Sequence, residues 1–131
     1  MPVLLQSRYV RPAFYSVTVV DGHGRIAATT PLRALGWTPG TVLEFGVDAN
    51  RLITAFRIEG PPPPGSTAPR REVTPRGHLN LPAAIRRRAD ISTGDRLLTA
   101  ADTNAGILRL LPPKVLALIL HAYTADQDQP P

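Results

Sequence analysis

The feature that most limits the fold of this chain is that it spells one small pattern twice. Residues 20–26 read VDGHGRI and residues 73–79 read VTPRGHL: valine, Asp or Thr, two free positions, glycine, Arg or His, then an aliphatic residue. The match extends beyond the motif. WTPGTVLEF (37–45) falls on ISTGDRLLT (91–99), and DANRLI (48–53) falls on DTNAGI (102–107), both at an offset one residue longer. A tandem duplication accounts for all three matches, with one residue gained or lost in the intervening segment, where a short helix is expected. Two separate units of ~50 residues would each bury too little surface to be stable alone. The copies are therefore expected to share one core or to find partners.

Each copy has the same plan. Residues 15–20, YSVTVV, are rich in β-branched and aromatic types and predict a strand. DGHG ends it with turn residues. A short aliphatic stretch follows, then a helix begun near Pro31 or Pro82, where a missing N–H is harmless. The predicted helices cover 31–36 and 83–89, ended by Gly36 and Asp90. TPG and STG lead into strands 41–47 and 96–101, and DAN and DTN turn into strands 51–58 and 106–111. The expected organisation is a first unit with an N-terminal arm (1–59), a Pro-rich linker (60–70), a second unit (71–111) and a C-terminal segment (112–131). Four consecutive prolines favour extended polyproline II, so the linker is expected to span roughly 28 Å and carry the chain across a shared core.

Charge narrows the partners. The net charge is +5, and Lys114 is the only lysine, so the positive charge is almost all arginine. Residues 70–88 hold Arg70, Arg71, Arg76, Arg86, Arg87 and Arg88 against one acid, Glu72. Such a cluster is the electrostatic footprint of nucleic-acid binding. The absence of cysteine excludes disulfides and thiolate zinc sites. MPVLLQSRYV lacks the apolar centre of a signal peptide, and no apolar run approaches the ~20 residues of a transmembrane helix. The expectation is a cytoplasmic protein with no membrane partner. His23, His78 and His121 lack metal-site spacing and the carboxylates are scattered through turns, so no metal, cofactor or catalytic set is expected.

With these motifs in view, VDGHGRIAATTPLRALGWTPGTVLEF resembles the AbrB/MazE/SpoVT DNA-binding domain, in which a Gly-Arg-Ile step leads to a proline, an arginine-bearing helix and a Gly-Asp before a hairpin. VTPRGHLNLPAAIRRRADISTGDRLL is similar more closely, with Pro82, Ile85, Arg86, Arg87, Gly94 and Asp95 at the matching places. The two copies cover 15–58 and 71–111. The resemblance implies a mostly β fold, a swapped-hairpin β-barrel in which two units interlock; the residues after it add a C-terminal helix. It also implies a sequence-specific transcriptional regulator that binds duplex DNA through arginines. A MazE-like antitoxin, holding a toxin by its C-terminal region, is the alternative.

The resemblance assigns DNA contacts to Arg25 of the Gly-Arg pair, Arg33 as first helix arginine, and Arg86 and Arg87 as the helix pair of copy two. His78 replaces the arginine of the second Gly-Arg pair, and Ala34 replaces the second helix arginine of copy one. Arg76 and His78 complete the candidate set, and copy two is expected to bind more strongly. Gly24 and Gly77 are read as backbone necessities. The segment PPKVLALILHAY predicts a helix apolar on almost every side, which must be buried in its own core or against a partner, a second copy or a toxin. TADQDQPP after it is expected to be disordered.

Overall fold

The computed structural model describes residues 13–128. The elements run β1 (Ala13–Val19), β2 (Arg25–Ala27), α1 (Thr29–Ala34), β3 (Val42–Val47), β4 (Ile53–Arg57), β5 (Arg70–Glu72), β6 (His78–Asn80), α2 (Ala83–Arg88), β7 (Arg96–Asp102), β8 (Ile107–Leu111) and α3 (Pro113–Asp128). The expected N-terminal arm lies outside the described residues. Strands β1–β4 and helix α1 recur as β5–β8 and α2, so the duplication read in the sequence is a duplication of structure.

The pairing interlocks the copies. Six strands form an antiparallel sheet in the order β1-β7-β8-β4-β3-β5, and β2 and β6 form a separate two-stranded ribbon. Each copy's first strand lies on the other copy's hairpin: Val19 is opposite Arg96, and Glu72 is opposite Val42. The same exchange continues beyond the strand ends, where Val20 bonds Gly94 and Asp95 while Val73 bonds Gly40 and Thr41. The order is its own mirror image about the β8–β4 seam, where Thr54 faces Arg109 and Ala55 faces Leu108. In the ribbon Ile26 is opposite Leu79, its own counterpart in the repeat. A pseudo-two-fold axis therefore passes through both places.

Strand alternation sends one face of the sheet inward. Leu43, Phe45, Ile53, Ala55, Leu97, Leu108 and Leu110 meet Ile26 and Leu79 of the ribbon and Leu32 and Ile85 of the short helices in one buried cluster. Both copies contribute to it, so neither half owns a core. Thr99 is fully buried in the sheet, yet its hydroxyl is satisfied by Ser16 Oγ at 2.6 Å and Ser16 O at 3.0 Å.

Among the described residues the six-stranded sheet ends at β1 on one side and at β5 on the other. Other expectations are corrected. Helix α1 begins at Thr29 rather than Pro31, because a proline in the first turn removes no intrahelical bond. Both short helices end in a Schellman turn: Trp37 N–H reaches Leu32 O after Gly36 (φ +72°), and Ile91 N–H reaches Arg86 O after Asp90 (φ +57°). These bonds align Arg33 with Arg87, Leu32 with Arg86 and Ala34 with Arg88; the inserted residue lies before the helix. The linker does not stretch across the core. Arg57 and Arg71 both pair with Leu43, one on each side of β3, so the chain returns only two strand spacings away, about 10 Å. The loop between them turns at Ser66, whose N–H bonds Pro63 O, and Gly60 O accepts from Arg70.

The C-terminal segment also differs. Helix α3 continues to Asp128, so residues 124–128 are helical rather than disordered. Its root packs on the fold through Val115, but Leu118, Ile119, Leu120 and Tyr123 are 54%, 51%, 64% and 53% exposed. The helix is not buried against its own sheet. The Schellman residue of copy two explains how the root is fastened: Asp90, standing where copy one has Gly36, holds both Arg51 and Lys114.

Candidate nucleic-acid interface

The β2–β6 ribbon is short because each strand is caught between a tight turn and a helix. The turn is fixed by the second motif residue. Asp21 accepts the N–H groups of His23 and Arg25, each at 2.9 Å, and Thr74 Oγ1 accepts the N–H of His78 at 2.9 Å. This is why the position alternates between Asp and Thr: each has an acceptor that reaches the backbone of its own turn. Gly24 and Gly77 close the turns at φ +74° and +75°, the left-handed region that disfavours a side chain.

With Ile26 and Leu79 turned into the core, Arg25, Ala27, His78 and Asn80 lie on the outer side of the ribbon. Arg25 stands opposite Asn80, and His78 opposite Ala27. Arg76 is exposed in the turn that precedes β6. Arg33 and Arg87 are exposed at equivalent places in the last turns of α1 and α2. The ribbon thus carries Arg25 and His78 on its face, with Arg76 beside it, and the short helices that follow each ribbon strand carry Arg33 and Arg87. Asn80, and the pairing of Asp21 with Arg25, escaped the sequence reading. Asn80 is two residues from His78 in an alternating strand, and that spacing is the signal that places both on one face.

Two of the candidate arginines are engaged within the protein. Arg25 Nε is 2.8 Å from Asp21 Oδ2, both partly exposed. The N–H of Arg25, with that of His23 and the Arg25 guanidinium, holds the Asp21 carboxyl down at about 2 against the cost of desolvation. Asp21 is therefore ionised at neutral pH and offsets part of the charge of Arg25. Arg86 is half-buried: its Nε donates to Leu81 O at 3.1 Å, and its guanidinium lies over Gly24 of the other copy. Leu81 N–H in turn donates to Gly24 O at 2.9 Å. Arg86 is thus a clasp between the copies, at a position where copy one buries Leu32. Arg88 donates to Val47 O at 3.1 Å, which directs it towards β3.

The pseudo-dyad relates backbones but not charges. Copy two has Arg76 where copy one has His23, Thr74 where copy one has Asp21, and Arg88 where copy one has Ala34. Copy two is the more cationic half of the face. Among the described residues no group of three or more His, Asp or Glu is placed to hold a metal ion, and no helix is long and apolar enough to cross a membrane. Neither a scan against protein-family models nor a search of curated proteins gave a match to this chain.

Proposed function

We propose that the protein is a DNA-binding transcriptional regulator of the AbrB/MazE/SpoVT kind, reading duplex DNA with the ribbon face. The observation that carries this is the pseudo-two-fold ribbon, in which Arg25 and His78 occupy equivalent outward positions, with Arg33 and Arg87 at equivalent exposed places on the short helices that follow. Duplex DNA has two-fold related backbones, and an arginine fork binds phosphate or a guanine edge with two hydrogen bonds. The exchange of β1 and β5 between copies supports the swapped-hairpin arrangement, and the barrel is the finer form of that reading. In this account Arg25, Arg33, Arg76, His78 and Arg87 touch DNA. Arg86, given its clasp on Gly24, sets the position of the ribbon turn and contacts DNA with whatever of its guanidinium stays exposed. The site of action is the cytoplasm, where the DNA lies.

The test is selection of bound sequences from a random duplex pool. Enrichment of one motif, lost on replacing Arg87 and Arg33 with alanine, supports the reading; no binding at low salt removes it. A second reading, an antitoxin of the MazE kind, is favoured by one observation, the exposed apolar length of α3. Co-purification of a toxin through residues 112–131 would select it.

A further inference from the structure

The ribbon is two-fold symmetric in its backbone and not in its chemistry. Its outer face has four positions. Arg25 and Asn80 stand opposite one another at one end, and Ala27 and His78 at the other. The pseudo-dyad through Ile26 and Leu79 exchanges Arg25 with His78 and Ala27 with Asn80. Two identical units would carry the same pair at both ends. In this chain a guanidinium and a carboxamide share one end, and an imidazole and a methyl group share the other. Asn80 is exposed, and asparagine is a type that strands disfavour. Among the described residues no hydrogen bond engages its carboxamide.

We propose that Asn80 reads an adenine in the major groove, and that the duplex this chain selects is in consequence asymmetric under the ribbon, bound in one orientation. The proposal rests on the reading of the ribbon face as the DNA surface. The major groove admits a two-stranded β-ribbon, and β2 and β6 form such a ribbon apart from the main sheet. A carboxamide has a donor side and an acceptor side, the set that adenine N7 and N6 complement with two hydrogen bonds. It carries no charge, so a phosphate offers it no ion pair. Arg25, opposite, bonds Asp21 through Nε, which leaves its terminal nitrogens for a phosphate or a guanine edge beside that adenine. The two ends lie two residues apart along each strand, about 6.6 Å, against about 3.4 Å between successive bases, so they face different base pairs. At the far end Ala27 has only a methyl group to offer, and His78 offers single ring nitrogens in place of a fork. One end discriminates by paired hydrogen bonds and the other does not.

The test compares the motifs selected from a random duplex pool by the wild-type chain, by Asn80→Ala and by Ala27→Asn. The wild type should enrich a motif containing an adenine with no counterpart across the local two-fold. Asn80→Ala should relax preference at that one position by about 5- to 140-fold. The other positions and the slope of log affinity against log salt should stay as they are, because the side chain removed is neutral. Ala27→Asn, at an exposed position, should add an adenine preference at the dyad-related place and make the motif more symmetric. The fluorescence of buried Trp37 should be unchanged in both variants, which separates a change of readout from a change of fold. If no motif is enriched by the wild type, the DNA reading fails and the proposal falls with it. A motif that is already two-fold symmetric, or one indifferent to Asn80→Ala, would overturn the proposal and leave the DNA reading standing. So would an Asn80→Ala variant that loses affinity for every sequence alike with a shallower salt slope, or an Ala27→Asn variant that gains no new preference.

Discussion

Gly24 and Gly77 occupy equivalent turns with nearly the same backbone, φ +74° and +75°, yet their surroundings differ. A Cβ on Gly77 would meet nothing nearer than Thr29 Oγ1 at 3.8 Å, whereas one on Gly24 would lie 2.6 Å from Arg86 Cζ and Nε. Placing alanine in the left-handed region costs about 1–2 kcal/mol at either position. At Gly24 the guanidinium must also swing away, and it loses its bond to Leu81 O, a further loss of about 1 kcal/mol for a typical hydrogen bond. Gly24→Ala should therefore destabilise by about 2–3 kcal/mol and Gly77→Ala by about 1–2. In an Arg86→Ala background the two should become equal. Urea unfolding followed by the single tryptophan, Trp37, which is 5% exposed, measures both. With m of about 1–3 kcal/mol per molar, the extra 1 kcal/mol moves the midpoint by roughly 0.3–1 M. Equal losses in the wild-type background, or a difference that survives Arg86→Ala, would refute the clasp.

Arg86→Ala with Arg87→Ala should weaken binding to duplex DNA and flatten the log–log salt dependence by about 0.9 for each phosphate that is no longer neutralised, as read by a salt titration. Arg25→Ala with Arg33→Ala should do less, because Asp21 already offsets Arg25; equal or larger losses would overturn that ranking of the copies. A fragment of residues 1–60 should not fold, and the full chain should unfold in one transition, since β1 and β3 both depend on strands of the second copy; a well-folded monomeric fragment would contradict this. Asp21 has its pKa depressed to about 2, so the stability it contributes is present above its unfolded value near 4 and is lost as pH falls through about 2. Asp21→Asn should flatten acid unfolding across that window, and an unchanged acid transition would show that the turn does not depend on the carboxylate.

Much of the fold was legible because its signals are local. Strands predicted at 41–47 and 96–101 are found at Val42–Val47 and Arg96–Asp102, each marked by a turn and by alternation. The repeat itself indicated two halves that share one core or find partners. What sequence did not disclose is long-range. Nothing in YSVTVV says that it pairs with RLLTAAD of the other copy, because a strand's partner is chosen by tertiary packing. The helix alignment also failed by one residue: Arg33-Ala34 matches Arg86-Arg87 by eye, but the Schellman bonds match Arg33 to Arg87 and give Arg86 a buried leucine for its counterpart. The linker's prolines suggested length, yet prolines also turn, and only the position of β5 beside β3 tells which. For the site, the motif positions indicated Arg25, Arg33 and Arg87, while the clasp of Arg86 depended on a glycine 62 positions away and had no local sign.

The pairing of β1 with β7 has a consequence for how the chain comes into being. Ser16 and Thr99, which share a hydrogen bond at the centre of that ladder, are 83 residues apart. At a synthesis rate of about 5–20 residues per second, β1 waits roughly 4–16 s after its own translation before its partner strand exists. During that interval the first copy makes its hairpin and then receives β5, but it has no hairpin for its own first strand. The first described strand, β1, is thus among the last to be placed, and the ladder with the greatest loop to close among the described residues is left for the end. Until β7 is made, the backbone edge of β1 stays unpaired, and an unpaired strand edge is a ready template for a wrong partner.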